Sequence, residues 1–204
     1  MVDWDAKYSE VNTLLYGNNP SDIINKASSE YATKLGHILC VGDGEGRQSR
    51  ALARGGFPVT AIDISAVAVK RAHQYDKEDD LIINRLIYDA AKKPPLVKGF
   101  DCCFLCYVHF SVAERQSCFH WLKKELPVGG LLFIEGFGPE QPTYRAKYNS
   151  GGPVQKELLY DSKILRSELF GFTIHHDLSV EVALDDGPGH KGLANITQMI
   201  FEKK

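Results

Sequence analysis

The stretch HILCVGDGEGRQSRALARGGFPVTAIDI, residues 37–64, decides the fold. His37 to Val41 is a short apolar run. Three glycines on alternate positions follow, Gly42, Gly44 and Gly46, and then RQSRALARGG, whose helical spacing ends at Gly55-Gly56. The spacing predicts strand, tight turn, helix. FPVTAIDI is a second strand rich in β-branched residues, and Ser65 caps the helix SAVAVKRAHQYDK. Two βα units in series imply a parallel sheet.

Outward from this stretch the alternation continues. DLIINRLIYD (residues 80–89) reads as a third strand, and GFDCCFLCYVHF (99–110) as a fourth, apolar enough to be buried on both faces. Ser111 to Leu126 has helical spacing and stops before Pro127 and Gly129-Gly130; LLFIEGF (131–137) is the fifth strand. The polar stretch from Gly138 to Pro153 reads as a loop, the start of a loop insertion spanning 138–160. Asp161 to Phe170 is helical in pattern, and FTIHHDLSVEVAL and LANITQMIFEKK form a hairpin across DDGPGHKG. The expected architecture is α/β: a Rossmann-like, doubly wound seven-stranded sheet, mostly parallel with an antiparallel C-terminal hairpin strand. Residues 1–204 are expected to form a single domain, with 1–34 as an N-terminal helical lid segment.

Composition limits the function classes. The chain has 204 residues, 44% of them hydrophobic, enough for one core; its formal charge of −2 offers no basic field for nucleic acid. No segment reaches the ~18 apolar residues of a membrane span, and the N-terminus MVDWDAKYSE lacks a signal-peptide run. Five cysteines, three of them crowded at Cys102, Cys103 and Cys106, suit reduced buried thiols and a cytoplasmic protein better than a secreted disulfide framework. Cys103 and Cys106 form a C-x-x-C, but on a strand residues three apart point to opposite faces, so no metal site is expected.

In an open parallel sheet, ligands gather at the carboxyl ends of the strands, where the glycine turn sits. Glycines there admit a ligand close to the backbone. Asp63, about 20 residues past the turn at the end of the second strand, is placed to accept both hydroxyl protons of an adenosine ribose. That pair fits NAD as well as S-adenosylmethionine. The order G-x-G-x-G, in place of G-x-G-x-x-G, and the acidic Glu45 disfavour a pyrophosphate and favour a ligand carrying an ammonium and a sulfonium.

The segments ILCVGDGEGRQSRALARGGFPVTAIDISAVAVKRA, FDCCFLCYVHF and LPVGGLLFIEGF resemble the class I S-adenosylmethionine-dependent methyltransferases, and among them the tellurite-resistance and thiopurine methyltransferase-like group. The resemblance covers nearly the full chain. It implies that the backbone of Gly42, Asp43, Gly44 and Gly46, with Arg47, holds the methionine end. Asp63 would take the ribose, Ile64 an adenine face, Asp89 and Ala90 the adenine amino edge, and Cys106 and Tyr107 the flanks of the methionine part. Cys40 departs from the acidic residue usual in the family's first strand, and Asp43 stands where a cysteine is common; Asp43 is expected to restore the charge. The resemblance also makes His190 and Lys191 a basic pair facing an oxyanion substrate, and Trp4, Tyr8 and Tyr16 part of a lid. Turn chemistry alone gives His190 and Lys191 a solvated hairpin loop, and apolar burial alone gives the aromatics an anchoring role.

A sulfonium already activates its methyl group, so the chain must mainly align a nucleophile and exclude water. His109, just past the fourth strand, is a candidate general base, or else a residue tied to backbone near the helix at Ser111. Arg145 is a second substrate-side candidate. No Asn/Asp-Pro-Pro-Tyr/Phe stretch follows the fourth strand; Tyr107-Val108-His109-Phe110 stands there. The sequence therefore points to S-adenosylmethionine as cofactor and a small-molecule methyl acceptor, with neither nucleic acid nor membrane as partner and no reading of oligomeric state. An NAD-dependent oxidoreductase and a non-catalytic S-adenosylmethionine-binding protein are the alternatives.

Overall fold

The computed structural model describes residues 2–92 and 97–204. Its centre is a seven-stranded sheet. The strands are β1 (Ile38–Val41), β2 (Val59–Asp63), β3 (Asn84–Ile87), β4 (Cys102–Cys106), β5 (Leu131–Phe137), β6 (Phe172–Asp185) and β7 (Lys191–Lys203), in the spatial order β3-β2-β1-β4-β5-β7-β6. The first five pair in parallel; β7 runs antiparallel to β5 and to β6. The order reverses between β1 and β4, so their carboxyl ends open the crevice where such sheets take ligands.

The helices are α1 (Trp4–Ser9), α2 (Asp22–Glu30), α3 (Arg47–Arg54), α4 (Ala66–Glu78), α5 (Val112–Glu125), α6 (Gln141–Tyr148) and α7 (Ser162–Glu168). Their starts follow local chemistry. The Ser65 hydroxyl accepts the Ala68 N–H at 3.0 Å, and Ser111 with Glu114 forms a reciprocal capping box that opens α5. Strand alternation then divides the core. Leu39, Val41, Cys103 and Leu105 pack with Phe119, Trp121 and Leu122 of α5 on one side of the sheet. Ile38, Cys40 and Phe104 pack with Ile23, Ile24 and Ala27 of α2 and Leu52 of α3 on the other. Cys103 and Cys106 fall on opposite layers, and among the described residues no group of three His, Cys, Asp or Glu side chains is placed to hold a metal ion. No helix among them is long and apolar enough to cross a membrane.

Three boundaries differ from the sequence reading. The third strand shrinks from 80–89 to Asn84–Ile87 because it is a sheet edge with only β2 to pair with, and Ile82 is left 96% exposed. The fourth strand stops at Cys106 because Tyr107 takes φ 59°, which breaks the extended run. The insertion is not all loop. Gln141–Tyr148 is helical, with Pro142 in its first turn, where a missing N–H costs nothing, and Asn149 closing it at φ 53°.

Candidate active site

The glycine turn is anchored from below and crowded from above. The Gly42 and Asp43 N–H groups donate to Ile62 O at 2.8 and 3.2 Å, which ties the turn to the end of β2. Gly42 and Gly44 sit at φ 63° and 57°, and a Cβ at either would lie 2.5 Å from Val108 or 2.4 Å from the Tyr8 hydroxyl. Neither position accepts a side chain.

The charges around the turn face inward. Asp43 does not replace the missing carboxylate at Cys40, because its own carboxylate lies against Arg85 of β3 (2.7 Å) and accepts the Ser49 N–H at 3.2 Å. Arg85 also grips Asp76 of α4 through two bonds, 2.6 and 2.8 Å, with its side chain 1% exposed. Burial alone pulls that guanidinium's pKa down, and the two carboxylates outweigh it and hold it above its usual value. Glu45 is likewise engaged: it accepts the Leu15 N–H at 2.8 Å and pairs with Arg71 at 3.0 Å. The acid that the sequence reading offered to a cationic ligand instead fastens the N-terminal segment to the turn.

Asp63 closes β2 with both carboxylate oxygens in use, accepting the Gly44 and Ser65 N–H groups at 2.8 Å each. Burial pushes its carboxyl up to about 6 despite those bonds. Each oxygen keeps a lone pair for a further donor. Ile64, the next residue, is 43% exposed and lines a groove of about 360 Å³ with Ile87, Tyr88, Asp89 and Lys92. Asp89 accepts the Ala91 N–H and pairs with Lys92 at 3.1 Å, while Ala90 is buried and its carbonyl accepts the Trp121 indole N–H. The glycine turn, the buried Asp63 carboxylate and the groove beside Ile64 follow one another along the carboxyl ends of β1, β2 and β3.

On the other side of the crevice an aromatic cluster covers the ends of β4 and β5. His190 is 5% exposed, with ring centroids of Tyr16, Tyr107 and Phe137 at 4.5, 4.6 and 5.2 Å. Burial holds its pKa below the usual imidazole value, against the pull of Asp186. Tyr8 lies edge-on to Tyr16 at 6.3 Å, so the N-terminal aromatics join the cluster. The hairpin tip is stitched to them by the Gly189 N–H, which donates to Leu15 O at 2.8 Å. The expected His190-Lys191 pair is split, because Lys191 opens β7 on the exposed side. Arg145 is also exposed and donates to the Gly152 carbonyl of its own segment.

His109 is not free to act as a base. Its Nδ1 donates to Leu158 O at 2.8 Å and its Nε2 accepts the Phe137 N–H at 3.3 Å, which uses both ring nitrogens. Burial pulls its pKa down to about 4, so it stays neutral at pH 7. It fastens the chain after β4 to β5 and to the segment before α7. Cys106 ends β4 with its thiol 3.9 Å from the Ser21 hydroxyl, and burial pushes its pKa up.

Two residues here escaped the sequence reading. Glu135 of β5 is 2% exposed and accepts the Ile23 N–H at 3.0 Å and the Gln198 amide at 2.8 Å, which pins the start of α2 to the sheet. A lone acid inside LLFIEGF was the visible signal. Asp186 lies 2.7 Å from Arg47 and 3.9 Å from His190; in DDGPGHKG it has the look of an ordinary turn residue.

The comparisons agree with this fold. Residues 38–130 match a family model described as a methyltransferase domain. Among solved structures, one described as "Conversion of a Disulfide Bond into a Thioacetal Group during Echinomycin Biosynthesis" is 18% identical over 98% of this chain and 90% of that one, with TM-score 0.80. TehB from Haemophilus influenzae is 17% identical, covering 98% and 67%, at TM-score 0.70. An S-adenosylmethionine-dependent methyltransferase from Methanosarcina mazei is 22% identical, covering 91% and 98%, at TM-score 0.69. No curated protein matches in sequence. Residues 38–130 are thus similar to a methyltransferase domain, and the chain shares its seven-stranded fold with these structures.

Proposed function

We propose that this single domain transfers a methyl group from S-adenosylmethionine to a small molecule bearing a soft or anionic nucleophile. The observation that carries the proposal is the placement of two features on one edge of the sheet: the glycine turn with Asp63 at the ends of β1 and β2, and the caged His190 over the ends of β4 and β5. In this reading Gly42, Gly44, Gly46 and Arg47 hold the methionine end. Asp63 takes the ribose hydroxyls, Ile64, Asp89 and Ala90 the adenine, and Cys106 and Tyr107 border the sulfonium. Asp43 serves by bracing the turn through Arg85. Five cysteines, all free, and a near-neutral charge suit a reducing cytoplasm and an acceptor other than nucleic acid.

When bound, S-adenosylmethionine supplies a methyl group already activated on its sulfonium. The chain's own residues are left with orientation and the exclusion of water, tasks that Tyr8, Tyr16, Tyr107 and Phe137 perform over the ends of β4 and β5. His190, in place of His109, is the imidazole positioned to take a proton from an acceptor that arrives protonated. Lys191 and Arg145 lie at the surface and steer anions without touching them at the site.

The test is transfer of labelled methyl across a panel of thiols, selenols, chalcogen oxyanions, alcohols and amines. The proposal expects turnover with the soft or anionic members, and His190→Gln should slow it by roughly 100-fold for acceptors that arrive protonated while leaving affinity for S-adenosylhomocysteine unchanged. Turnover confined to alcohols or amines contradicts it.

A further inference from the structure

Asp186 touches both halves of the site through one oxygen. Its Oδ2 lies 2.7 Å from Arg47 Nη1, on the first residue of α3 after the glycine turn, and 3.9 Å from His190 Nδ1. That imidazole nitrogen is buried without a hydrogen-bond partner. The second contact is therefore short of a hydrogen bond, and a small movement closes it. The Arg47 guanidinium also lies 5.6 Å from the Tyr107 ring centroid, and Tyr107 packs on His190 in turn. The loop holding Asp186 is itself fixed. Its N–H donates to His190 O at 2.9 Å, the His190 N–H donates to Gly187 O at 3.2 Å, and the Gly189 N–H is bound to Leu15 O.

We propose that Asp186 is a positioning residue for methyl transfer: it orients His190 at the acceptor side, and through Arg47 it makes that imidazole responsive to whatever occupies the glycine turn. The proposal rests on the roles of His190 and the turn given under Proposed function. Its electrostatics are simple. Asp186 favours the charged imidazole, Arg47 opposes it, and Arg47 and the imidazole share the same Asp186 oxygen. An anionic group that engages Arg47 neutralises the opposing cation and leaves the carboxylate to His190, so both effects act in one direction. S-adenosylhomocysteine carries such a group in its methionine-derived carboxylate. The other groups facing His190 are Lys7 of α1, which lies over the Tyr16 ring at 5.7 Å, the phenols of Tyr16 and Tyr107, and the neutral His109. Lys7 opposes the charged imidazole as Arg47 does, but it lies outside the competition for Asp186.

NMR titration of the His190 imidazole in the full chain tests this, with the signal assigned through His190→Gln and S-adenosylhomocysteine as the probe. Asp186→Asn, nearly isosteric and so expected to fold, should lower the His190 midpoint by about one pH unit, whereas Arg47→Met should raise it. Saturating S-adenosylhomocysteine should raise the midpoint in the unmodified chain and leave it in place in Arg47→Met, with saturation verified by calorimetry. A midpoint in Asp186→Asn within about 0.3 pH unit of the unmodified chain overturns the proposal. An equal response to the probe with and without Arg47 overturns the coupling. Absence of S-adenosylhomocysteine binding to the unmodified chain is a different failure, that of the cofactor assignment, and the ligand-free comparison of Asp186→Asn then decides the positioning role by itself.

Discussion

Asp63→Ala should weaken S-adenosylhomocysteine binding by roughly 100-fold or more, because on the proposed reading it removes two charge-assisted hydrogen bonds to the ribose from a buried site. The same carboxylate already orders the turn by accepting the Gly44 and Ser65 N–H groups, so part of the loss is loss of turn geometry. Asp63→Asn separates the two contributions, since one amide oxygen can still accept one of those bonds. The pH dependence has a definite sign. Burial raises the Asp63 carboxyl to about 6, so in the free chain it is ionised above that pH and protonated below it. A protonated acid is a poorer acceptor for two hydroxyls. Affinity should therefore be level above about pH 7 and fall by up to tenfold per unit below pH 6, a trend that calorimetry from pH 5 to 7.5 resolves and that Asp63→Asn abolishes. The same group acts on stability in the opposite sense. A folded-state value above the unfolded one gives a contribution that is full below about pH 4 and is lost as pH rises through about 6. Unchanged affinity in Asp63→Ala excludes the ribose role.

Arg85→Met should be the most damaging single change to stability outside the hydrophobic core. It leaves Asp43 and Asp76 as unpaired carboxylates with side chains 2% and 5% exposed, beneath the glycine turn. Breaking a buried ion pair from one side costs about 3–5 kcal/mol, which for a chain of this size lowers the thermal midpoint by about 6–20 °C. Arg85→Lys should recover only part of this, because an ammonium cannot reproduce the fork that reaches Asp76 through two nitrogens and Asp43 through a third contact. S-adenosylhomocysteine binding should weaken in parallel, since the Asp43 carboxylate that Arg85 holds also accepts the Ser49 N–H at the start of α3. A midpoint within about 2 °C of the unmodified chain means that the ion-pair cluster is not what braces the turn.

Much of the fold was legible because it rests on short-range pattern. The run from Ile38 to Val41, the alternate glycines and the β-branched VTAID each specify their local structure, and the Ser65 and Ser111 caps lie where the helices begin. α6 escaped because its composition is polar and its markers, Pro142 in the first turn and Asn149 at the end, equally well describe a loop. The site was less legible for a different reason. The partners of Asp43, Glu45, His109 and His190 come from distant parts of the chain: Arg85, Leu15, Leu158 with Phe137, and Asp186 with Arg47. Sequence places His109 at the correct end of the sheet but does not show that two backbone groups already occupy its ring. Turn chemistry likewise marks DDGPGHKG as a hairpin loop and gives no sign that the tip folds back onto Leu15 and buries His190.

Thermal unfolding of the purified chain with S-adenosylmethionine, S-adenosylhomocysteine or NAD tests the central claim most directly. At about 100 times the dissociation constant, a ligand bound only by the folded chain contributes roughly 2.7 kcal/mol, which raises the midpoint by roughly 5–11 °C in a domain of this size. The account predicts that rise with the first two ligands and none with NAD. A rise with NAD alone, or no rise with any of the three, contradicts it.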